Sequence, residues 1–265
     1  MFNFCSLYSG SSGNSLFVQS ENTNILIDAG ESAKKIINAL SSINVSIDSL
    51  DAIVVTHEHI DHVKSIGTIS QKYNVPVYAT KKTWSAMPLQ SSKIESKFQR
   101  TFSSANKFYI GDLELKPFSI PHDAADPCGF NILNKDKQIS IATDLGHVTP
   151  EIINNLSNSS FILLESNYDS EILKFSKYPY YLKQRILGER GHLSNENSGK
   201  LLCRILHDKL QAIVLGHLSK ENNLPELAYE AVRMEITMGE NPYRAEDFRM
   251  MVADRSNVSP VINIA

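Results

Sequence analysis

Hydrophobic and polar positions along this chain follow two periods. Short apolar runs mark strands buried on both faces. Between them, apolar residues recur every three or four positions, as on amphipathic helices. Residues 24–30, "NILIDAG", read as a strand ending in glycine, after which Ala33, Ile36, Ile37, Leu40 and Ile43 repeat at helical spacing. A buried strand is expected over 51–57, a helix over 62–74 and a strand over 75–80. Three closely spaced strands follow at 113–122, 129–134 and 137–144. Residues 149–158 read as a helix with Thr149 as N-cap and Pro150 in its first position. Further strands are expected at 161–167, 212–217 and 248–253, and helices at 195–209 and 225–237. The longest stretch without a period is 168–191, and no repeat occurs at solenoid spacing. Strands alternating with helices predict an α/β fold.

Composition changes this picture little. The 265 residues are 42% apolar and 21% charged, enough for one large α/β domain or two small ones. The net charge of −3 gives no global basic signature, so contact with a polyanion must come from a local patch. No run approaches the roughly 18–20 apolar residues of a membrane span, and no membrane partner is expected. The start, "MFNFCSLYSGSSGNS", lacks the basic onset and apolar core of a signal peptide. Cys5, Cys128 and Cys203 are odd in number and far apart, which argues against a disulfide framework and for a reducing cytoplasm. Cys128, beside Gly129, reads as a small buried residue.

The chemistry begins at residues 56–62, "THEHIDH", where three histidines and an aspartate fall within six positions after a buried strand. On an extended turn His57 and His59 point the same way and reach one ion. Asp61 and His62 begin the next turn and suit a second. Other strand ends carry His122, Asp144, Glu165 and His217. In α/β sheets, sites assemble outside the carboxyl ends of strands. His122, Asp144 and His217 therefore complete two sites, with the two oxygens of Asp144 bridging the ions. His147, in a turn, and His207, late in a helix, read as structural or solvated, although His147 lies close to Asp144 in sequence.

The strand-end HxHxDH pattern, followed by His, Asp and His on later strands, resembles the metallo-β-lactamase superfamily over nearly the whole chain. More narrowly, "SGSSGNS", "PHDAADPCGF", "ATDLGHVT", "ESNYD", "YPYYLKQRILGERGHLSN" and "LGHLSKENN" resemble the YycJ (WalJ) group. Tyr168 departs from that pattern, which has histidine there. The resemblance implies an αββα sandwich with a dinuclear site along one edge. Asp144 and His192 are only 48 residues apart, too few for the large inserted domain of the ribonuclease J branch, so one domain spanning 1–265 is expected. His59, where the di-iron redox branch has glutamate, argues against redox chemistry. "GHLSN" and "LGHLS" are similar to the histidine pair of ribonuclease Z and the PhnP phosphodiesterases. That likeness implies a catalytic or phosphate-binding His192 and a metal-binding His217.

Two segments face a substrate in this reading. The Gly/Ser loop 9–15, through Ser12 and Asn14, offers N–H groups and hydroxyls to a phosphate, or is a plain hairpin turn. Residues 173–190 interleave basic residues, Lys183 and Arg185 among them, with Tyr178, Tyr180 and Tyr181. Such a mixture suits a nucleic-acid strand, or is a solvated loop and helix with inward tyrosines. The expected chemistry is two-metal phosphodiester hydrolysis with Zn2+ or Mn2+, in which Asp61 orients or deprotonates the nucleophilic water and His192 protonates the leaving oxygen. The resemblance implies 5′→3′ exonuclease action on DNA. A small-molecule phosphodiesterase, a thioester hydrolase and a metal-bearing regulatory protein are the competing readings.

Overall fold

The computed structural model describes residues 1–265. The first half supplies β1 (Asn3–Tyr8), β2 (Ser15–Gln19), β3 (Asn24–Ile27), β4 (Ala52–Val54), β5 (Val77–Thr80) and β6 (Gln99–Phe102). The second supplies β7 (Phe108–Ile110), β8 (Leu113–Ser119), β9 (Cys128–Asn134), β10 (Lys137–Ala142), β11 (Phe161–Glu165), β12 (Ala212–Gly216) and β13 (Arg249–Val252). A short β14 (Ile262–Asn263) returns to the first sheet. The sheets run β14-β1-β2-β3-β4-β5-β6 and β13-β12-β11-β10-β9-β8-β7. The helices are α1 (Ala33–Ser42), α2 (Ile60–Val63), α3 (Ile66–Tyr73), α4 (Lys81–Ala86), α5 (Pro88–Ser91), α6 (Pro150–Leu156), α7 (Ser170–Phe175), α8 (Tyr180–Leu187), α9 (Asn195–Cys203) and α10 (Pro225–Met238). No helix is long and apolar enough to cross a membrane.

The two-residue period of the strands explains the layers. In β3, Ile25 and Ile27 enter the core between the sheets while Leu26 faces α1. In β11, Phe161 and Leu163 face the first sheet while Ile162 and Leu164 pack beneath α6, α9 and α10. Strands covered on both faces read as unbroken apolar runs. Three apolar layers result, which is the helix–sheet–sheet–helix sandwich expected for this chain.

Strand direction then sets where polar residues gather. β3 to β6 run parallel, as do β10 to β13. β8 shares the direction of β10 because each is antiparallel to β9. The carboxyl ends of β3, β4, β8, β10, β11 and β12 thus open at the site edge and deliver Asp28, His57, His122, Asp144, Glu165 and His217.

The structure differs locally from the sequence pattern at three places, two of them with a physical cause. The helix expected over 62–74 is two helices, because the Ser65 N–H bonds to the Ala29 carbonyl (2.9 Å) and ties the break to the end of β3. The stretch 168–191 holds α7 and α8, of six and eight residues, too short to express a helical period. The helix expected over 195–209 ends at Cys203. Thr149 caps α6 by accepting from the Ile152 N–H, with Pro150 next.

Candidate metal centre and active site

The loop after β4 is pinned from both sides. The Asn14 N–H donates to the Asp61 carbonyl (2.8 Å), and the Ala29 N–H donates to the His62 carbonyl (2.8 Å). Glu58 accepts from the Ala125 N–H (2.8 Å), tying the same loop to the segment after β8. Gly30 allows the close approach: a Cβ there would lie 1.6 Å from the Asp61 carbonyl oxygen. Asp28, Asp144 and His217 end their strands at φ of 63°, 59° and 57°. That left-handed conformation is uncommon outside glycine and turns each side chain sharply off its strand.

These constraints bring the metal-site candidates together as two groups. His57, His59 and His122 form one, and Asp61, His62 and His217 the other, with ligand atoms of each within 4.8 Å of one another. Asp144 stands between them, Oδ1 at 3.5 Å from His122 Nε2 and Oδ2 at 3.3 Å from His62 Nε2. Four imidazoles have Nδ1 occupied. His57 donates to Thr56 Oγ1 (3.0 Å), His62 to Asp28 Oδ2 (2.7 Å), His122 to the Gly191 carbonyl (3.2 Å) and His217 to Glu165 Oε1 (2.7 Å). Fixing Nδ1 selects the tautomer and leaves Nε2 as the ligand atom. His59 instead turns Nδ1 inward, 3.4 Å from His122 Nε2.

The donor set fits metal ions. His57 Nε2, His217 Nε2 and Asp144 Oδ2 are buried without a hydrogen-bond partner, although buried polar atoms are nearly always paired. Four carboxylates, Asp28, Asp61, Asp144 and Glu165, also converge here. Burial works against ionisation of Asp61 and Asp144, yet His217 and His62 hold both carboxyls below their ordinary range. Against the same burial, His192 and His217 hold Glu165 down to about 2. Burial depresses His57 and His122, which keeps them neutral. Burial also opposes charge on His217, but Asp144, Asp61 and Glu165 raise it to about 10. Divalent cations would take over the charge balance that His62 and His217 otherwise supply.

His192 is in neither of these two groups but borders both: its Nδ1 lies 3.8 Å from Asp144 Oδ1, and with Asp144, Glu165 and His217 it forms a further cluster of ligand atoms within 4.8 Å of one another. Its side chain is 20% exposed and lines a cavity, and its Nδ1 donates to Glu165 Oε1 (2.9 Å). Two residues the sequence reading did not assign thus organise the centre. Glu165 accepts from His192, His217 and the N–H groups of Leu145 and Leu193. Asp28 accepts from His62 and from Thr56, which itself accepts from His57. Both lie at the carboxyl end of an apolar strand run, the same signal that picked out the ligands.

The substrate candidates are dispersed. Asn14 is buried, its Oδ1 accepting from the Gly10 N–H (3.0 Å) and its amide 3.1 Å from His62 Nε2. Ser12 is exposed, while Ser11 beside it lines the His192 cavity. Arg185 lines the same cavity and bonds Asp123 Oδ2 (2.6 Å); Lys183 turns onto the Lys174 carbonyl (2.7 Å). Tyr168 is buried against Leu173 and Ile186, holding α7 and α8 to the body. His147 binds the Glu189 carbonyl (2.8 Å), and His207 lies outside the site.

Comparison with known proteins bears on the family and the fold. A family model described as the beta-lactamase superfamily domain matches residues 23–216. The chain is 40% identical to the exodeoxyribonuclease WalJ of Streptococcus pneumoniae serotype 2, over 86% of each chain. It is 36% identical to the exodeoxyribonuclease YycJ of Bacillus anthracis, over 86% of this chain and 87% of that one. Human tRNase Z, short form, shares the fold with a TM-score of 0.67 at 16% identity, over 99% of both chains. By sequence and by fold, the chain belongs to the metallo-β-lactamase superfamily, in the family of the WalJ and YycJ exodeoxyribonucleases.

Proposed function

We propose that this chain is a metal-dependent phosphodiesterase that degrades DNA from an end in the 5′→3′ direction, in the cytoplasm. The observation that carries the reading is the buried junction of two ligand groups at Asp144, with the partnered His192 beside it. His57, His59 and His122 would hold one divalent ion, Asp61, His62 and His217 the other, and Asp144 both. Zn2+ and Mn2+ each suit this mixture of imidazole and carboxylate. Two such ions, when bound, would supply Lewis acidity and lower the pKa of a water toward neutral. Asp61, ionised by its histidine neighbours, would orient the attacking water by accepting a hydrogen bond from it. Glu165 anchors His192 through Nδ1, leaving Nε2 to donate a proton to the departing oxygen. Buried Asp28 holds His62 directly and His57 through Thr56, so it keeps a ligand of each group in place.

The names of the WalJ and YycJ relatives support DNA as the substrate. Digestion of end-labelled duplex by metal-loaded protein tests the proposal. A 3′ label should shorten as a ladder while a 5′ label appears at once in the smallest products. Early loss of the 3′ label overturns the polarity. Fast hydrolysis of thioesters or small diesters without DNA cleavage overturns the nuclease assignment. Lys183→Ala with Arg185→Ala should lower the salt slope of DNA binding. Each cation that neutralises a phosphate adds about 0.7–0.9 to that slope. Arg185 is already paired with Asp123, so the expected loss is nearer one cation than two.

A further inference from the structure

The turn after β10 reaches two other segments of the site. Gly146 and His147 stand two and three residues beyond Asp144. The Gly146 N–H donates to the Pro121 carbonyl (2.9 Å), one residue before His122. His147 Nδ1 donates to the Glu189 carbonyl (2.8 Å), three residues before His192. A carbonyl only accepts, so the His147 proton sits on Nδ1. Gly146 lies against the same backbone: a Cβ there would come within 2.3 Å of the Glu189 carbonyl oxygen and 2.8 Å of the Arg190 Cα. One turn therefore joins the segments that carry Asp144, His122 and His192.

Residues 189–192 need such an anchor. Glu189 and Arg190 are exposed and border a cavity of about 500 Å³, while Gly191 and His192 border another of about 150 Å³. With open space beside both halves, packing does little to fix this stretch. Two of its backbone bonds tie it to α8, a helix of only eight residues: Gly191 N–H to the Gly188 carbonyl (2.8 Å) and His192 N–H to the Ile186 carbonyl (3.0 Å). The bonds that place the backbone against the ligand groups run through Glu189 and Gly191. His147 holds the first carbonyl and His122 Nδ1 the second (3.2 Å). Glu165 orients the His192 ring, but the ring stands where its backbone puts it.

We propose that His147 is a positioning residue for His192: its bond to the Glu189 carbonyl fixes the 189–192 backbone and so holds the His192 ring at the departing oxygen. This rests on the reading of His192 as proton donor and adds the group that places it.

His147 is exposed, so its replacement spares the core. In the metal-free protein, His147→Ala should speed amide hydrogen exchange at Gly191 and His192 about tenfold, the scale of one lost hydrogen bond. In the metal-loaded protein it should lower kcat on DNA about 10–100-fold and leave KM within about twofold, as a displaced catalytic group does. Turnover of bis-p-nitrophenyl phosphate should change by less than about threefold, because nitrophenolate departs without a proton donor and a sugar alkoxide does not. In a His192→Ala background the same change should cost nothing further on DNA. His147→Asn, whose amide nitrogen stands where Nδ1 stands, should restore exchange and turnover; His147→Gln, whose nitrogen stands nearer Nε2, should not. Gly146→Ala, which presses on Glu189 with His147 intact, should give the same selective loss. Unchanged exchange in His147→Ala, equal losses on both substrates, or a full further loss in the His192→Ala background would overturn the proposal. Rescue by glutamine and not by asparagine would mean that Nε2 meets the substrate directly, and overturns it too. Faster exchange that asparagine reverses, in a protein that hydrolyses no phosphodiester, supports the anchor and sinks the exonuclease.

Discussion

Asp28 and Glu165 each hold two functional side chains by a single carboxylate. Asp28 orients His62 directly and His57 through Thr56, one candidate ligand from each group. Groups that orient metal ligands commonly carry about 10–100-fold of affinity. Asp28→Asn should therefore weaken both ions by about that factor in competition with a chromogenic chelator; wild-type affinity would dismiss the role. Glu165 couples His217, a ligand candidate, to His192, and the two histidines cluster with Glu165 and Asp144. His192→Ala should keep two ions by elemental analysis and lower phosphodiester turnover by roughly 10²–10⁴-fold, the usual range for a general acid. Loss of one ion in that variant would mean that His192 and His217 have exchanged roles. Histidine and aspartate identities were legible at this scale because strand ends display them. The Asp28 and Glu165 bonds were not, since a carboxylate at a strand end looks the same in sequence whether it meets solvent or an imidazole.

At the level of elements, the site depends on how closely three chain segments approach at Gly30. A Cβ there would lie 1.6 Å from the Asp61 carbonyl oxygen and 2.8 Å from the Asn14 amide nitrogen, both backbone atoms with no freedom to turn aside. Gly30→Ala must push the ligand loop away from β3. The expected result is a loss of about 3 kcal/mol or more in urea unfolding, at the upper end of overpacking effects, together with reduced metal content. Stability and metal content like those of the wild type would show that the loop is not held there. Longer elements such as α1 and β11 were evident from period alone. The break at Ser65 and the pair α7–α8 were not, because the first is made by a tertiary hydrogen bond and the second is too short to show a period.

Over the whole molecule, the apolar layers and the candidate metal centre occupy separate places. The three large apolar clusters lie between the sheets and beneath the helices, with the candidate ligands gathered at one edge. Removing the ions should therefore leave the fold intact and lower its stability. At free metal about 1,000-fold above the dissociation constant, one bound ion adds about 4 kcal/mol. For a chain of this size that amounts to roughly 10 °C in thermal melting. Chelation should lower the melting temperature by that amount and leave the far-ultraviolet circular dichroism unchanged; an unmoved midpoint would argue against tightly held ions. The sequence by itself determined the alternation of strands and helices and the candidate ligand residues at the strand ends, because both follow from local hydrophobic runs and the residues that close them. Tertiary structure alone decided that Asp144 stands between two groups, that Glu165 bonds two histidines, and that Tyr178 faces inward while Tyr180 and Tyr181 face solvent. Those outcomes depend on which strand lies beside which and on where Tyr168 anchors a short helix, and distances across the fold are not written in the local order of residues.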